Sequence, residues 1–411
     1  MKTCLINIIG FVLLLPIVLQ AQTLDDYLEK ASENNPKLKA SYAEFEASLQ
    51  RVSQVNALPD PTLSFGVFIS PIETRTGAQT AKVSLSQMFP WFGTLKAKEN
   101  VGTLQAELKY QEFLNDKNKL YFKVKKAYFP LYEINKHVLL MEKYLTILES
   151  YKQVATTSIS NGKSTMADVI RVEIMIEGMK TDILLSQDKS KPYTVSFNRL
   201  LNQPDNSIVK VIDSLSPVVI NNQYRRDSLL TLNPMLKAID SKIEATSSMV
   251  QVAKKKGLPQ FGIGIDYTFI SERTDLNIPE NGKNAIMPMM TMSLPIFRGK
   301  YKASVEEAQL LNTAMNFKKK DLENNLFSAY ETALYELEKS QQLILLYKVQ
   351  MVKTNQMIQL LFVAYSNSGK DFEEVLRTQQ QLLKYQIALA SSIVQFHIAL
   401  SQLDYLTAKS E

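Results

Sequence analysis

Cysteine is almost missing from this chain: 411 residues contain one, Cys4. It precedes an apolar run from Leu5 to Leu19, after which small and polar residues gather around Ala21. A run of about fifteen residues broken by Pro16 is too short for a membrane helix and reads as a secretory signal peptide over 1–21. The exported chain then has neither a disulfide nor a thiol, so its stability must come from packing. Cys4 lies before the run and not after it, which argues against its being a lipid-anchored cysteine. Long apolar runs are missing as well. Beyond the signal none approaches eighteen residues, so no helix is expected to cross a bilayer and a membrane role would need β-strands. Charge of one sign is scarce too. The formal net charge of +6 becomes +5 without Lys2, too little over nearly four hundred residues to suggest a nucleic-acid partner.

Catalytic and metal chemistry is equally thin. His137 and His397 are the only histidines, and without cysteine a zinc site would need carboxylates in an arrangement the chain does not show. No glycine-rich phosphate loop follows a strand pattern and no nucleophile motif stands out, so no enzyme, no metal site and no cofactor is expected. "MPMMTM" (287–292) invites a copper reading, since thioethers suit Cu(I). On a strand, however, Met287 and Met289 face one way and Met290 and Met292 the other, so the four cannot meet one ion.

What the chain does have is an internal repeat. "NNPKLKA" (34–40) recurs as "LNPMLKA" (232–238), "LYEINK" (131–136) as "LYELEK" (334–339), and "SNGKSTMADVIRVE" (160–173) is echoed by "NSGKDFEEVLRTQ" (367–379). The separation grows from 198 at Asn35/Asn233 to 203 at Tyr132/Tyr335 and 207 at Gly162/Gly369, as small insertions after a duplication would leave it. The first repeat is placed at 22–215 and the second at 216–411, with "NQPDNS" supplying turn chemistry near the boundary.

Each repeat reads as helix, two strands, long helix, shorter helix. A helical pattern over about 24–57 is stopped by Leu58-Pro59-Asp60-Pro61. Leu63, Phe65, Val67 and Ile69 then alternate with small and polar residues, a polar loop is expected at 71–79, and Ala81, Val83 and Leu85 alternate in turn. The second repeat has Phe261, Ile263, Ile265, Tyr267 and Phe269, a longer loop at 271–283, and Ile286, Pro288, Met290, Met292 and Leu294 on one face. Four strands of about ten residues match strands tilted across a bilayer, and they match two hairpins on a soluble core equally well. Pro288 removes a ladder donor from its strand.

The helices separate these readings. Leu131, Ile134, Val138, Met141, Leu145 and Leu148 are spaced three and four apart, an a/d seam; Val169, Val172, Ile176, Met179 and Ile183 continue it after the turn. A long helix from Thr94 to about 159 spans roughly 100 Å at 1.5 Å per residue, and Pro130 predicts a local kink in it. It is expected to pack on the first short helix along its upper half and on the second along its lower half. Gly162 and Gly369 end the long helices, and Thr165-x-x-Asp168 and Asp371-x-x-Glu374 cap the next ones. With membrane-embedded strands, four per chain cannot close a barrel of about eight or more, so several copies must pool theirs.

With these features in order, residues 24 to 409 resemble the TolC-like outer-membrane efflux proteins. The resemblance rests on the two-fold repeat, Asn35-Pro36 and Asn233-Pro234, the strand-to-helix corners "FPWFG" (89–93) and "LPIFRG" (294–299), and the last helix pattern at 373–406. It implies an α+β membrane protein: a homotrimer whose four strands per protomer close an outer-membrane β-barrel continuous with a long periplasmic α-helical barrel. The implied function is a passive exit duct, in outer-membrane lipid, recruited by a periplasmic adaptor and an inner-membrane pump of the resistance-nodulation-division or ABC type. Type I protein secretion is the alternative within that class, and a periplasmic coiled-coil structural protein the alternative outside it.

The resemblance also carries over site residues. The adaptor-contacting hairpin tips are Asn161, Gly162, Lys163 and Ser164, and Ser368, Gly369, Lys370 and Asp371. The periplasmic gate candidates are Asp168, Arg171, Asp371, Glu373, Glu374 and Arg377. Three protomers would multiply each acid into a ring that attracts cations; equally, Asp168 and Glu374 serve as capping acids with Arg171 and Arg377 as their solvated partners. At the membrane-interface elbow, Pro90 and Pro295 are expected to end strand pairing, Gly93 and Gly299 to permit the bend, and Trp91, Phe92 and Phe297 to settle at the boundary with water.

Overall fold

The computed structural model describes residues 23–160, 164–217, 231–275, 277–368 and 372–409. The expected signal peptide, 1–21, lies outside these residues. The elements in chain order are α1 (Leu24–Asn34), α2 (Pro36–Asn56), β1 (Thr62–Thr74), β2 (Gly77–Phe89), α3 (Thr94–Ser160), α4 (Met166–Leu200), α5 (Pro234–Lys256), β3 (Gln260–Ser271), β4 (Ala285–Ser293), α6 (Arg298–Ser368) and α7 (Phe372–Thr407). The order helix, two strands, long helix, shorter helix thus runs twice.

The expected first helix is two. Asn35 ends α1 and caps α2: its side-chain oxygen accepts from the N–H groups of Lys37 and Leu38 at 3.0 and 3.2 Å, and Pro36 supplies the fixed φ of a first helical residue. Its amide nitrogen donates to the carbonyl of Leu200, the end of α4, at 2.9 Å. Asn233 repeats the arrangement, accepting from Met235 N–H at 2.8 Å and donating to Leu406 O at 2.9 Å near the end of α7. Each Asn-Pro pair therefore starts one helix while tying it to the end of another, which places α2 above α4 and α5 above α7.

That stacking lets the long helices run past two short ones. α3 packs along α2 and α5 towards the strand end and along α4 and α7 towards the opposite end, while α6 packs on α5 and α7. The a/d seam is on the inside of these contacts: Leu131, Ile134, Met141 and Leu148 are buried, as are Val169, Val172, Ile176 and Ile183. Pro130 lies within α3, which runs unbroken from Thr94 to Ser160. Gly102 is buried where α2 comes closest, since a Cβ there would meet Val55 at 3.2 Å and the Val52 backbone at 3.4 Å.

The strands form one antiparallel sheet in the order β1-β2-β3-β4. They run through much of the expected polar loop at 71–79, so only Arg75 and Thr76 turn, with the Thr74 hydroxyl donating to Gly77 O at 2.6 Å. The polar residues there follow the pairing of the strands rather than ending it. The register places Leu63, Leu85, Ile265 and Pro288 in one row and Phe65, Val83, Tyr267 and Ile286 in the next. The opposite face carries Ser64, Ser84, Asp266 and Met287 in one row, and Gly66, Lys82, Thr268 and Ala285 in another. Pro288 is tolerated because β4 is an edge strand, and Pro71 falls in the stretch of β1 between Val67 and Ile72 where register shifts.

Between the helical tiers, residues 202–217 cross the waist of the molecule. Their backbone N–H groups find tyrosine hydroxyls as acceptors: Lys210 that of Tyr27 at 2.9 Å, Ile212 that of Tyr128 at 2.9 Å and Leu215 that of Tyr132 at 3.1 Å. Three phenols on α1 and α3 thus serve a strand-like segment that has no sheet partner. Tyr27, Tyr128, Phe197 and Leu201 form the buried centre of this waist.

Candidate functional site

Three regions hold the candidate residues: the hairpin ends, the strand-to-helix elbows, and the two faces of the sheet. At the first hairpin, Asn161, Gly162 and Lys163 lie outside the described residues, as do Gly369, Lys370 and Asp371 at the second. Ser368 is the last residue of α6. Ser164 is described, and its hydroxyl donates to Asp168 at 3.3 Å.

Asp168 is the third residue of a complete capping box. The Thr165 N–H donates to its carboxylate at 3.0 Å while the Asp168 N–H donates to the Thr165 hydroxyl at 3.3 Å. Burial alone would raise this carboxyl, but the hydrogen bonds from Thr165 and Ser164, with Arg171 beside it, outweigh burial and hold it below the ordinary carboxylate range. Arg171 reaches Asp168 at 3.3 Å along its own helix and Glu373, at the start of α7, at 3.2 Å. It thereby links the ends of two hairpins. Glu374 and Arg377 pair with each other on α7 at 2.5 Å. Five gate candidates therefore come together, three as the chain Asp168–Arg171–Glu373 and two as the Glu374–Arg377 pair beside it on α7.

Beneath these charges is an apolar plug. Tyr144, Leu148, Tyr151, Val169, Val172, Tyr365, Phe372 and Val375 pack as one buried cluster joining both hairpins, and the Gln379 amide donates to the Tyr151 hydroxyl at 2.9 Å inside it. The hairpins are held mainly by this burial, since an exposed ion pair contributes about 0–1 kcal/mol.

At the first elbow, β2 ends at Phe89, directly before Pro90, and α3 begins at Thr94. Gly93 has φ +73°, a left-handed conformation that a side chain disfavours, and this makes the bend. The Lys255 ammonium donates to Phe92 O at 3.2 Å and so ties the bend to α5. Trp91 lies against Phe261 at the start of β3, ring centroids 5.5 Å apart, while Phe92 is exposed. The second elbow is built differently. Gly299 is not its bend: it lies in the first turn of α6 and has no positive φ. Residues 294–297 turn instead through tight contacts from Ile296 N–H to Leu294 O and from Arg298 N–H to Ile296 O, at 2.9 and 3.0 Å. Pro295 lies in this turn and Phe297 is exposed.

The sheet is two-sided. On one face Phe65, Val67 and Ile69 are 74%, 78% and 98% exposed, and Ile263, Ile265, Ile286, Met290 and Met292 are exposed beside them. So much apolar area without cover is unusual for a water-facing surface. On the other face, among serine, threonine and glycine, Lys82 makes an ion pair with the buried Asp266. This pair is not legible in the sequence as a unit, because its members lie on strands from different repeats. The register also separates the methionines, with Met287 and Met289 beside Asp266 and Gly264, and Met290 and Met292 beside Ile263 and Phe261.

The lateral edges are equally unfinished. The free sides of β1 and β4 have no partner strand within the described chain. On the helices, Ile170, Ile174, Leu184 and Leu185 of α4 are exposed at one margin, and Leu345, Val349, Val352, Leu360 and Val363 of α6 at the other. No described helix is long and apolar enough to cross a membrane.

No protein-family model matches this sequence, and no curated protein sequence does. Solved structures do. The outer-membrane channel OprN is similar with a TM-score of 0.77 at 15% identity, covering 93% of this chain and 89% of that one. CusC, described for folding and transmembrane channel formation, gives 0.76 at 16% identity over 93% and 91%. The outer membrane protein VceC of Vibrio cholerae gives 0.75 at 15% identity over 93% and 95%. The four-stranded sheet with two tiers of long helices is therefore the fold of the TolC-like outer-membrane channels, over nearly the whole chain.

Proposed function

We propose that this chain is the protomer of a trimeric outer-membrane exit duct, the passive terminal part of a tripartite efflux system. The observation that carries the reading is the set of unfinished edges: a sheet apolar on one face and polar on the other, open at β1 and β4, continuous with a helical palisade that exposes apolar stripes on both margins. Hydrocarbon does not tolerate open strand edges, so membrane placement demands closure, and three copies of four strands make a barrel of twelve. The solved structures that share this fold include outer-membrane channels, which supports the same placement.

In this reading the apolar face meets lipid and the Lys82–Asp266 face lines the lumen. Strands of nine to thirteen residues suffice to cross a bilayer at a tilt. The elbows with Trp91, Phe92 and Phe297 lie at the periplasmic boundary of the membrane, and the helices form a tube in the periplasm. Its far end closes where Arg171 bridges Asp168 and Glu373, with the Glu374–Arg377 pair beside them. The tips at 161–164 and 368–371 receive a periplasmic adaptor, and an inner-membrane pump supplies the energy. The repeats at 22–215 and 216–411 each build half of the wall, and residues 1–21 direct export.

Planar-bilayer recording of the purified protein tests this. A trimer that migrates as a heat-sensitive species and gives discrete single-channel currents is the expected result. A soluble monomer that passes no ions would overturn the reading.

A further inference from the structure

On one face of the four upper helices, directly below the strands, lies a cleft of about 340 Å³ to which α2, α3, α5 and α6 all contribute. Its walls are apolar at Val55, Val101, Val252 and Leu311. Its rim carries Arg51, Lys98 and Lys256 against one acid, Glu307. Among the described residues no carboxylate makes an ion pair with any of these three cations, whereas Lys37 pairs with Asp116 and Lys109 with Glu44 on the same helices. Three unpaired cations around an apolar floor are the complement of an amphipathic anion: the charge gains partners it lacks in the protein, and the apolar body covers the valines.

The side of the wall on which the cleft opens follows from α2. Lys39 and Tyr42 line a groove shared with Ser32 of α1. Nine residues separate Tyr42 from Arg51, which is two and a half helical turns, so the two point in opposite directions. α1, which packs on α3, lies on the Tyr42 side through Ser32, and a closed tube carries such an added helix on its outside. The Arg51 side is then the inner wall.

We infer that this cleft is a cargo-binding site for amphipathic organic anions, an apolar ring system bearing a sulfonate or carboxylate, placed on the duct wall just before the barrel. The inference rests on the duct reading for its lumenal position. Transient binding at such a site keeps amphipathic cargo in the duct and off the surrounding membrane, provided that it is weak enough to release.

The test uses the purified full chain in planar bilayers with 2-naphthalenesulfonate, the uncharged 2-naphthalenesulfonamide and the cationic 2-naphthylmethylamine as blockers, and equilibrium dialysis of the same compounds. The sulfonate is expected to block at the lowest concentration. The variant Arg51→Gln/Lys98→Gln/Lys256→Gln is expected to raise its half-blocking concentration and dissociation constant about tenfold. Lys39→Gln/Lys117→Gln, on the groove of the other face, is expected to leave both unchanged. Channels that conduct but are blocked equally by all three compounds, or a triple variant that behaves as the control, overturn the inference and leave the duct standing. Absent conductance with sulfonate binding lost in the triple variant overturns the duct and keeps the cleft as an anion site.

Discussion

Arg171 shows how far single residues can be read. Its spacing from Asp168 is visible in the sequence, and the structure realises both alternatives open there: Asp168 completes the capping box and still touches Arg171. Glu373 as the second partner of Arg171 is not visible, because it lies two hundred positions away and their meeting depends on the phase of two helical hairpins. The pair is exposed, so its loss should hardly affect stability, by about 1 kcal/mol or less. If the helices close at this end, as the proposed duct requires, its loss has a different consequence. Arg171→Glu places three acids together and is expected to raise single-channel conductance while moving the thermal midpoint by no more than about 2 °C. Restoring the opposite charge with Arg171→Glu/Glu373→Arg should return conductance towards wild type, and equal conductance in all three proteins would remove Arg171 from the gate. Gly93 and Gly299 make the same lesson concrete. They occupy equivalent sequence positions, yet one bends the chain and the other is ordinary helix, since the second corner bends through 294–297.

Elements were more legible than their ends. Alternation located all four strands and their two faces, while the polar stretch 71–79 concealed that pairing continues almost to the turn, because a strand with solvent on its sides need not be apolar. The heptad spacing located the helices and their buried seams. What spacing could not show is which polar groups those seams enclose. His137 on α3 lies against α7, where Ser391 donates to Glu133 and lies 3.3 Å from the imidazole, the Ile387 carbonyl accepts from the ring, and Lys189 of α4 is nearby. Burial lowers the pKa of His137 in spite of Glu133 beside it, and burial likewise lowers that of His397, whose ring contacts Ser216 O at 2.9 Å with Lys125 nearby. In the unfolded chain both titrate at about 6.5. As pH falls below that value the unfolded state takes up protons first, so the folded state loses stability until the lower folded pKa values are reached. The thermal midpoint is therefore expected to be flat from about pH 8 to 7 and to fall below about 6.5. His137→Gln/His397→Gln should flatten that fall, and an unchanged decline in the double variant would assign it to carboxylates instead.

At the scale of the whole molecule, the chain is a palisade of helices under one sheet, with two apolar margins that the described residues leave uncovered. The long helices carry more apolar positions than their partners within the chain cover, and the structure shows where the surplus lies. The stripe Leu345, Val349, Val352, Leu360 and Val363 runs down α6 on the side away from α5 and α7, and Ile170, Ile174, Leu184 and Leu185 run down α4 at the other margin. Which margin meets which was not legible, because it requires the curvature of the palisade. In a ring of copies the two stripes face each other at every joint, below the point where β1 of one copy meets β4 of the next. Each valine covered there contributes about 1–2 kcal/mol, and a carboxylate in its place is left without a partner in an apolar seam. Val349 and Val352 are each more than half exposed, so Val349→Glu/Val352→Glu should retain the helical content of the single chain. The heat-sensitive trimer should be lost on gels and by light scattering, and conductance with it. If the stripe instead faces water, as in a free-standing rod, the same variant should be more soluble and otherwise unaltered, and the margins would have to be explained by a partner other than a second copy.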